Sequence, residues 1–142
     1  MNASDSFAAL PIGPLDHVAI AVRDIDVAAD RYAPLGAELT HREVVAGQSV
    51  EVAFLKVPGT TSIELVAPTA PDSPLVAFIE RRGESLHHIC FRVDDIVAAL
   101  EAAASAGMRL IDSSPRHGAK GSLIAFIHPD VTGVLVELKQ PA

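Results

Sequence analysis

The sequence predicts an α+β protein made of one β-α-β-β-β module used twice. Two observations lead to this class. First, the stretch beginning at His88 (His-Ile-Cys-Phe-Arg-Val-Asp-Asp) repeats the stretch beginning at His17 at an offset of 71 residues, and the register runs without a gap from His17 on His88 to Gly36 on Gly107. Second, each copy holds a glutamate inside the apolar run of its final strand: Glu64 lies 47 residues after His17, and Glu137 lies 49 residues after His88.

The first copy opens with a strand over about residues 15–22. Val18, Ile20 and Val22 fall on one side and His17, Ala19 and Ala21 on the other, the period-2 alternation of a strand. Asp24 is placed to cap a helix. In that helix Ile25, Ala28, Ala29 and Tyr32 recur at helical spacing. Pro34 and Gly36 end it. Strands are expected at 39–46 and 50–57 around a turn at Gly47-Gln48, and at 62–67. A proline-rich linker follows, with a helix over 73–83 begun by Ser73-Pro74 and stopped by Gly83. The second copy repeats the plan. Ile89, Phe91 and Val93 alternate with His88, Cys90 and Arg92, and Asp95 caps a helix that buries Ile96, Ala99, Leu100 and Ala103. Strands are then expected near 108–113, 122–127 and 132–138. The modules span 15–67 and 86–139 of a single domain over 15–142, preceded by an arm over 1–14.

Composition narrows the function classes. The chain has 142 residues, and 49% of them are apolar, enough for a sizeable core. The longest apolar runs are strand-length, so no membrane span is expected. The N-terminus shows no basic region followed by an apolar core, so no secretory signal is expected. Cys90 is the single cysteine, which rules out an intrachain disulfide and suits a reducing, cytoplasmic setting. A net charge of −7 argues against nucleic acid as a partner. It also means that an anionic substrate would need a local positive centre.

Four residues carry the candidate chemistry. A carboxylate inside a half-buried strand is costly unless something compensates it. If the first and last strands of each module pair, His17, Glu64, His88 and Glu137 can converge. Two imidazoles and two carboxylates suit Co²⁺, Ni²⁺, Mn²⁺ or Zn²⁺ and leave positions open for substrate. Taken singly, a histidine at a strand start is more often a satisfied polar group, and a glutamate in a strand more often an exposed one. Four at repeat-equivalent places favour a metal. His87 should face away from His88. His41 and His117 read as surface residues, and His128-Pro129-Asp130 as a turn. Cys90 reads as a small wall residue, and Arg92, roughly 13 Å along the strand from His88, as a rim residue.

These residues resemble the vicinal oxygen chelate superfamily and, within it, the methylmalonyl-CoA epimerases. The likeness rests on Leu15-Asp16-His17-Val18-Ala19-Ile20-Ala21-Val22, Ile63-Glu64-Leu65, His87-His88-Ile89-Cys90, His128-Pro129 and Gly133-Val134-Leu135-Val136-Glu137-Leu138. The resemblance implies that the two modules form a cup-shaped mixed sheet around a metal held by His17, Glu64, His88 and Glu137. It implies an isomerase that interconverts the 2R and 2S epimers of methylmalonyl-CoA through a metal-stabilised enolate, with Glu137 as one proton-transfer group, and a homodimeric assembly. Relatives often carry Glu-Gln-Gly or Glu-His-Gly where this chain has Gly47-Gln48-Ser49, so the opposite proton-transfer role is open among Glu43, Glu51 and a water held by Gln48. The loop of Gly118-Ala119-Lys120-Gly121-Ser122 is a candidate for substrate binding: backbone N–H groups to substrate oxygens, and Lys120 to a CoA phosphate. Two other readings keep the fold. One is a glyoxalase-like lyase or isomerase on another small chelating substrate. The other is a binding protein without catalysis, which only 4% aromatic residues and no tryptophan weigh against.

Overall fold

The computed structural model describes residues 12–142; most of the N-terminal arm expected over 1–14 lies outside the described residues. The described residues divide into two compact units, one of residues 16–87 and one of residues 88–142 together with residues 12–15.

The first unit contains β1 (Leu15–Ala21), α1 (Ile25–Tyr32), β2 (Glu38–Val45), β3 (Val50–Lys56), β4 (Ser62–Pro68) and α2 (Pro74–Arg82). Its strands lie in the order β2-β3-β4-β1. β1 and β4 are parallel, and the other two pairings are antiparallel. The Asp24 carboxylate caps α1 by accepting from the Val27 amide at 2.9 Å. A short 3-10 turn over Ala33–Leu35 then carries the chain to Gly36, whose φ of 88° is the left-handed conformation that favours glycine. One face of the sheet takes the helix: Val22, Ile25, Ala28, Ala53, Leu55, Leu65 and Ala67 form one buried apolar cluster. The expected linker helix is present, with Ser73 as its cap and Gly83 at its end.

The second unit contains β5 (Ser85–Arg92, which starts within the first unit), α3 (Ile96–Ser105), β6 (Arg116–His117), β7 (Leu123–Ile127), α4 (Pro129–Thr132) and β8 (Leu135–Gln140). Its strands run β5-β8-β7-β6, with β5 and β8 parallel. Asp95 caps α3 through the Ala98 amide at 3.1 Å. Val93, Ile96, Ala99, Leu100 and Ala103 pack with Ala125, Ile127, Val136 and Leu138 under that helix. The helix-facing residues are those that the alternation placed there. Residues 13 and 14 run beside the end of β5: Gly13 donates to the Arg92 carbonyl at 2.7 Å, and Arg92 donates to that of Pro14 at 2.9 Å.

The second module departs from its expected strands. Residues 108–113 do not form a regular strand. Leu110 alone makes an isolated bridge, to Ile127, and the paired strand is the two-residue β6. The cause is local. The amides of both Ile111 and Asp112 donate to the Phe126 carbonyl, and the Asp112 carboxylate takes the Phe126 N–H at 2.9 Å. This doubling halts the ladder, and Pro115 has no N–H with which to resume it. The expected turn at His128-Pro129-Asp130 is the start of α4: the His128 ring nitrogen caps it by accepting from the Asp130 amide at 3.1 Å.

The two helix caps give a stability test. Asp24→Ala and Asp95→Ala should each lower the unfolding free energy by about 1 kcal/mol, with the urea midpoint reduced and the slope unchanged. An unchanged midpoint in either variant would show that its carboxylate stabilises nothing.

Candidate functional site

Each unit builds the same half-site, and the strand register explains why. In the first unit Ala19 on β1 pairs with Glu64 on β4, and Phe54 on β3 pairs with Glu64 from the other side. In the second unit Cys90 on β5 pairs with Glu137 on β8, and Phe126 on β7 pairs with Glu137. Both glutamates therefore lie opposite the residue two places beyond the histidine of their module. Partners across a sheet share a face, so His17 and Glu64 stand together on the face away from α1. His88 and Glu137 do the same on the face away from α3.

The local geometry is nearly identical. His17 Nε2 lies 3.6 Å from Glu64 Oε2, and His88 Nε2 lies 3.6 Å from Glu137 Oε1. That distance is too long for a hydrogen bond. Two atoms bound to one metal at ~2.1 Å would lie ~3.0–3.4 Å apart, so a small inward shift of each pair would suit a shared ion. All four residues are buried: His17 is 1% exposed, Glu64 5%, His88 3% and Glu137 6%. Each half-site offers one nitrogen and one oxygen to a cation.

An aromatic ring backs each histidine. Phe54 meets the His17 ring edge-on at 5.8 Å and 86°, and Phe126 meets His88 at 5.6 Å and 82°. Sequence reasoning missed both phenylalanines, although the repeat held the signal: Ala53-Phe54-Leu55 matches Ala125-Phe126-Ile127 at an offset of 72. It also missed the role of Asp16, whose Oδ2 lies 2.7 Å from His17 Nδ1. An imidazole that donates from Nδ1 carries its lone pair on Nε2, the atom facing Glu64. The repeat is not symmetric here. The equivalent of Asp16 is His87, which faces away from His88 as expected and packs edge-on against Phe78 of α2 at 4.8 Å.

A fourth missed residue is Lys139. It lies two positions beyond Glu137 on the same face, and although charged it is only 8% exposed. It pairs with Arg92 on one side and Ile124 on the other, and Ile124 in turn pairs with Arg116. The row next to Glu137 is thus cationic. It supplies a positive centre, beyond any metal, that an anionic ligand would need on a chain of net charge −7.

The remaining expected site residues divide. Glu43 pairs with Val52 and shares its face with Glu64, two residues from His41, whose Nε2 it meets at 2.8 Å. His41 is accordingly not a plain surface residue; it stands in the row of Phe54 and Glu64. Glu51 is on the opposite face, and this removes it from the candidate set. Its carboxylate is held by Arg42 at 2.9 Å, and the same guanidinium binds Asp26 of α1 at 2.6 Å. The hydrogen bond and charge of Arg42 lower the Asp26 pKa, and the Glu51 and Asp26 carboxylates raise that of Arg42. Gln48 sits in the β2–β3 turn between Gly47 and Ser49, both at positive φ, and donates its amide to Val45. In the loop Gly118-Ala119-Lys120-Gly121-Ser122, the Gly118 and Ser122 amides bond within the loop, to Ser122 and Ala119. The buried Ser122 hydroxyl also donates to Ala119, at 2.7 Å. Lys120 and Gly121 are exposed, so of this set they are the two that the loop presents outward. Cys90 is fully buried and packs as the small wall residue expected.

Comparison with known proteins gives the family of the chain. Residues 16–126 match the family model of the Glyoxalase/Bleomycin resistance protein/Dioxygenase superfamily. The ethylmalonyl-CoA/methylmalonyl-CoA epimerase of Cereibacter sphaeroides is 43% identical over 133 residues, which cover 91% of this chain and 98% of that protein. The crystal structure of methylmalonyl-CoA epimerase from Mycobacterium tuberculosis superposes with a TM-score of 0.88 at 39% identity, covering 100% of this chain and 93% of that one. A variant of the Streptomyces coelicolor methylmalonyl-CoA epimerase, in complex with 2-nitronate-propionyl-CoA, superposes with a TM-score of 0.87 at 36% identity over 92% of this chain and 96% of that one. The chain belongs to this superfamily of paired β-α-β-β-β modules. Within it, the chain is a member of the methylmalonyl-CoA epimerase family, a family of isomerases.

The placement of Glu51 outside the site has a direct check. Glu51→Gln should leave isomerase turnover within twofold of the parent and change stability by no more than about 1 kcal/mol, because its ion pair is at the surface. A hundredfold loss of turnover would put Glu51 back among the catalytic candidates.

Proposed function

We propose that this protein inverts the configuration of methylmalonyl-CoA at the carbon between thioester and carboxylate, with one divalent metal shared by His17, Glu64, His88 and Glu137. One observation carries the reading: the same buried imidazole–carboxylate pair, at the same 3.6 Å, recurs at the same register position in each unit. The donor set fits a borderline divalent ion of the Co²⁺, Ni²⁺, Mn²⁺ or Zn²⁺ group. Two imidazoles and two carboxylates fill four positions and leave others free. When bound, the metal would supply positive charge next to the thioester and carboxylate oxygens of the substrate, where negative charge develops as the proton leaves.

The chain's own residues do the rest. Asp16 holds the His17 ring with Nε2 aimed at the site. Phe54 and Phe126 pack against the two imidazoles and keep water from their edges. Lys139 and Arg92 attract the anionic substrate, and Lys120 is exposed where it can meet a CoA phosphate. Glu137 is the proton-transfer group for one face of the substrate carbon. It removes the proton to give an enolate, whose electron pair spreads onto the thioester oxygen, or it returns a proton to that face. Inversion needs a second such group on the other face. The single cysteine suits a cytoplasmic enzyme. Pairing among small members of the superfamily supports a homodimer, which a dimeric mass by light scattering would verify.

Two measurements test this function. Protein stripped with a chelator should lose deuterium exchange at the substrate carbon and regain it when Co²⁺ is added. Glu137→Gln can keep metal through its amide oxygen but cannot act as a base, so it should lose most of that exchange while loaded; near-normal exchange would remove Glu137 from the proton-transfer role. Separately, Asp16→Asn should weaken Co²⁺ binding ~10–100-fold by calorimetry. Equal affinity would show that Asp16 does not orient His17 toward a metal.

A further inference from the structure

Inversion requires two proton carriers, one for each face of the planar enolate, and Glu137 accounts for one. We propose that Glu43 is the second, held in place by His41; this rests on the epimerase reading above.

Four observations converge on Glu43. Its Oε1 lies 2.8 Å from His41 Nε2, so its carboxylate is fixed. It shares the face of Glu64: His41, Phe54, Glu64 and Ala19 form one row across the sheet of the first unit, and Glu43, Val52, Val66 and Ala21 form the next. The Phe54 ring stands between the two imidazoles, 5.8 Å from His17 and 6.1 Å from His41. Finally, the Glu43 and His41 side chains are 32% and 36% exposed. Partial exposure lets Glu43 exchange its proton with water between turnovers.

The alternatives on the same strands are poorer. Glu51 faces the other side, bound to Arg42. Glu38 is on the correct face but exposed at the end of the sheet, opposite Lys56. Gln48 does not ionise.

The step balances without any further reactant. Starting from one epimer, the Glu43 carboxylate takes the α-proton, and the C–H electron pair passes into the enolate. Glu137, protonated, gives its proton to the opposite face, and a new C–H bond forms. Glu43 is left protonated and Glu137 ionised, the starting state for the reverse direction. For the next turnover in the same direction a proton passes from Glu43 to water through the His41 ring, and one returns from water to Glu137.

The test follows each epimer separately in deuterated water with the metal-loaded enzyme. The wild type should exchange both epimers and interconvert them; if it exchanges neither, the epimerase reading fails and this proposal fails with it. Glu43→Gln should interconvert the epimers at least 100-fold more slowly, yet still incorporate deuterium into one epimer with retention, through Glu137 alone. Interconversion within threefold of wild type would overturn the role of Glu43 and leave the epimerase reading intact. If Glu43→Gln does not fold, Glu43→Asp decides: its shortened carboxylate should lower kcat at least tenfold with KM within twofold, and an unchanged kcat overturns the proposal. For His41 as the positioning residue, His41→Leu should lower kcat with little change in KM. His41→Gln, which keeps an N–H for Glu43, should restore most of it, and equal losses in both variants would remove His41 from the role.

Discussion

The structure depends on how two carboxylates are kept inside two sheets. Glu64 and Glu137 are both more than nine-tenths buried, in strands otherwise built from aliphatic residues. Each stands next to an imidazole at a distance too long for hydrogen bonding. Burial of this kind requires that hydrogen bonds or charges offset the desolvation, and a cation held by each imidazole–carboxylate pair would add to that. The rest of each module serves this placement. The parallel pairing of first and last strands brings histidine to glutamate. The helix on the far face occupies the opposite side chains, and an edge-on phenylalanine closes the imidazole from the third strand.

The repeat holds two equal half-sites, and their neighbours differ. In the first unit the row next to the glutamate holds Glu43, Val52, Val66 and Ala21; in the second the corresponding row holds Arg116, Ile124, Lys139 and Arg92. One face carries a carboxylate that can exchange protons, and the other carries cations that can attract an anion. A symmetric pair of modules could hold a metal equally well. The same divergence appears beside the histidines, where Asp16 orients His17 and its counterpart His87 turns away to Phe78.

Some of the site was legible because its logic is periodic. A strand fixes the side of every second residue, so His17 and Glu64 could be set opposite the helix-facing set from the alternation alone. The repeat then made one pair predict the other. Where periodicity failed, so did the reading. β3 is apolar on both faces, so its sequence does not say which of Glu51 and Val52 looks toward Glu64. The answer depends on register with β4, where Phe54 pairs with Glu64 and Val52 with Val66. Residues 108–113 have strand-like composition, but the doubled hydrogen bonds at Phe126 and the proline at 115 leave only a two-residue strand further on.

The amino-acid order by itself determined the two modules, the caps at Asp24 and Asp95, the helix-facing residues and the identity of the histidine–glutamate set. These follow from short-range rules: period, capping and repetition act over a few residues or over one fixed offset. Tertiary structure alone decided which glutamate joins Glu64 and which joins Arg42, that Asp16 bends back to its neighbour's ring, and that Lys139 is buried beside Glu137. The placement of the glutamates and of Lys139 depends on the register between paired strands, where a shift of one residue moves a side chain to the other face, and the Asp16 contact depends on how its side chain turns toward the next residue.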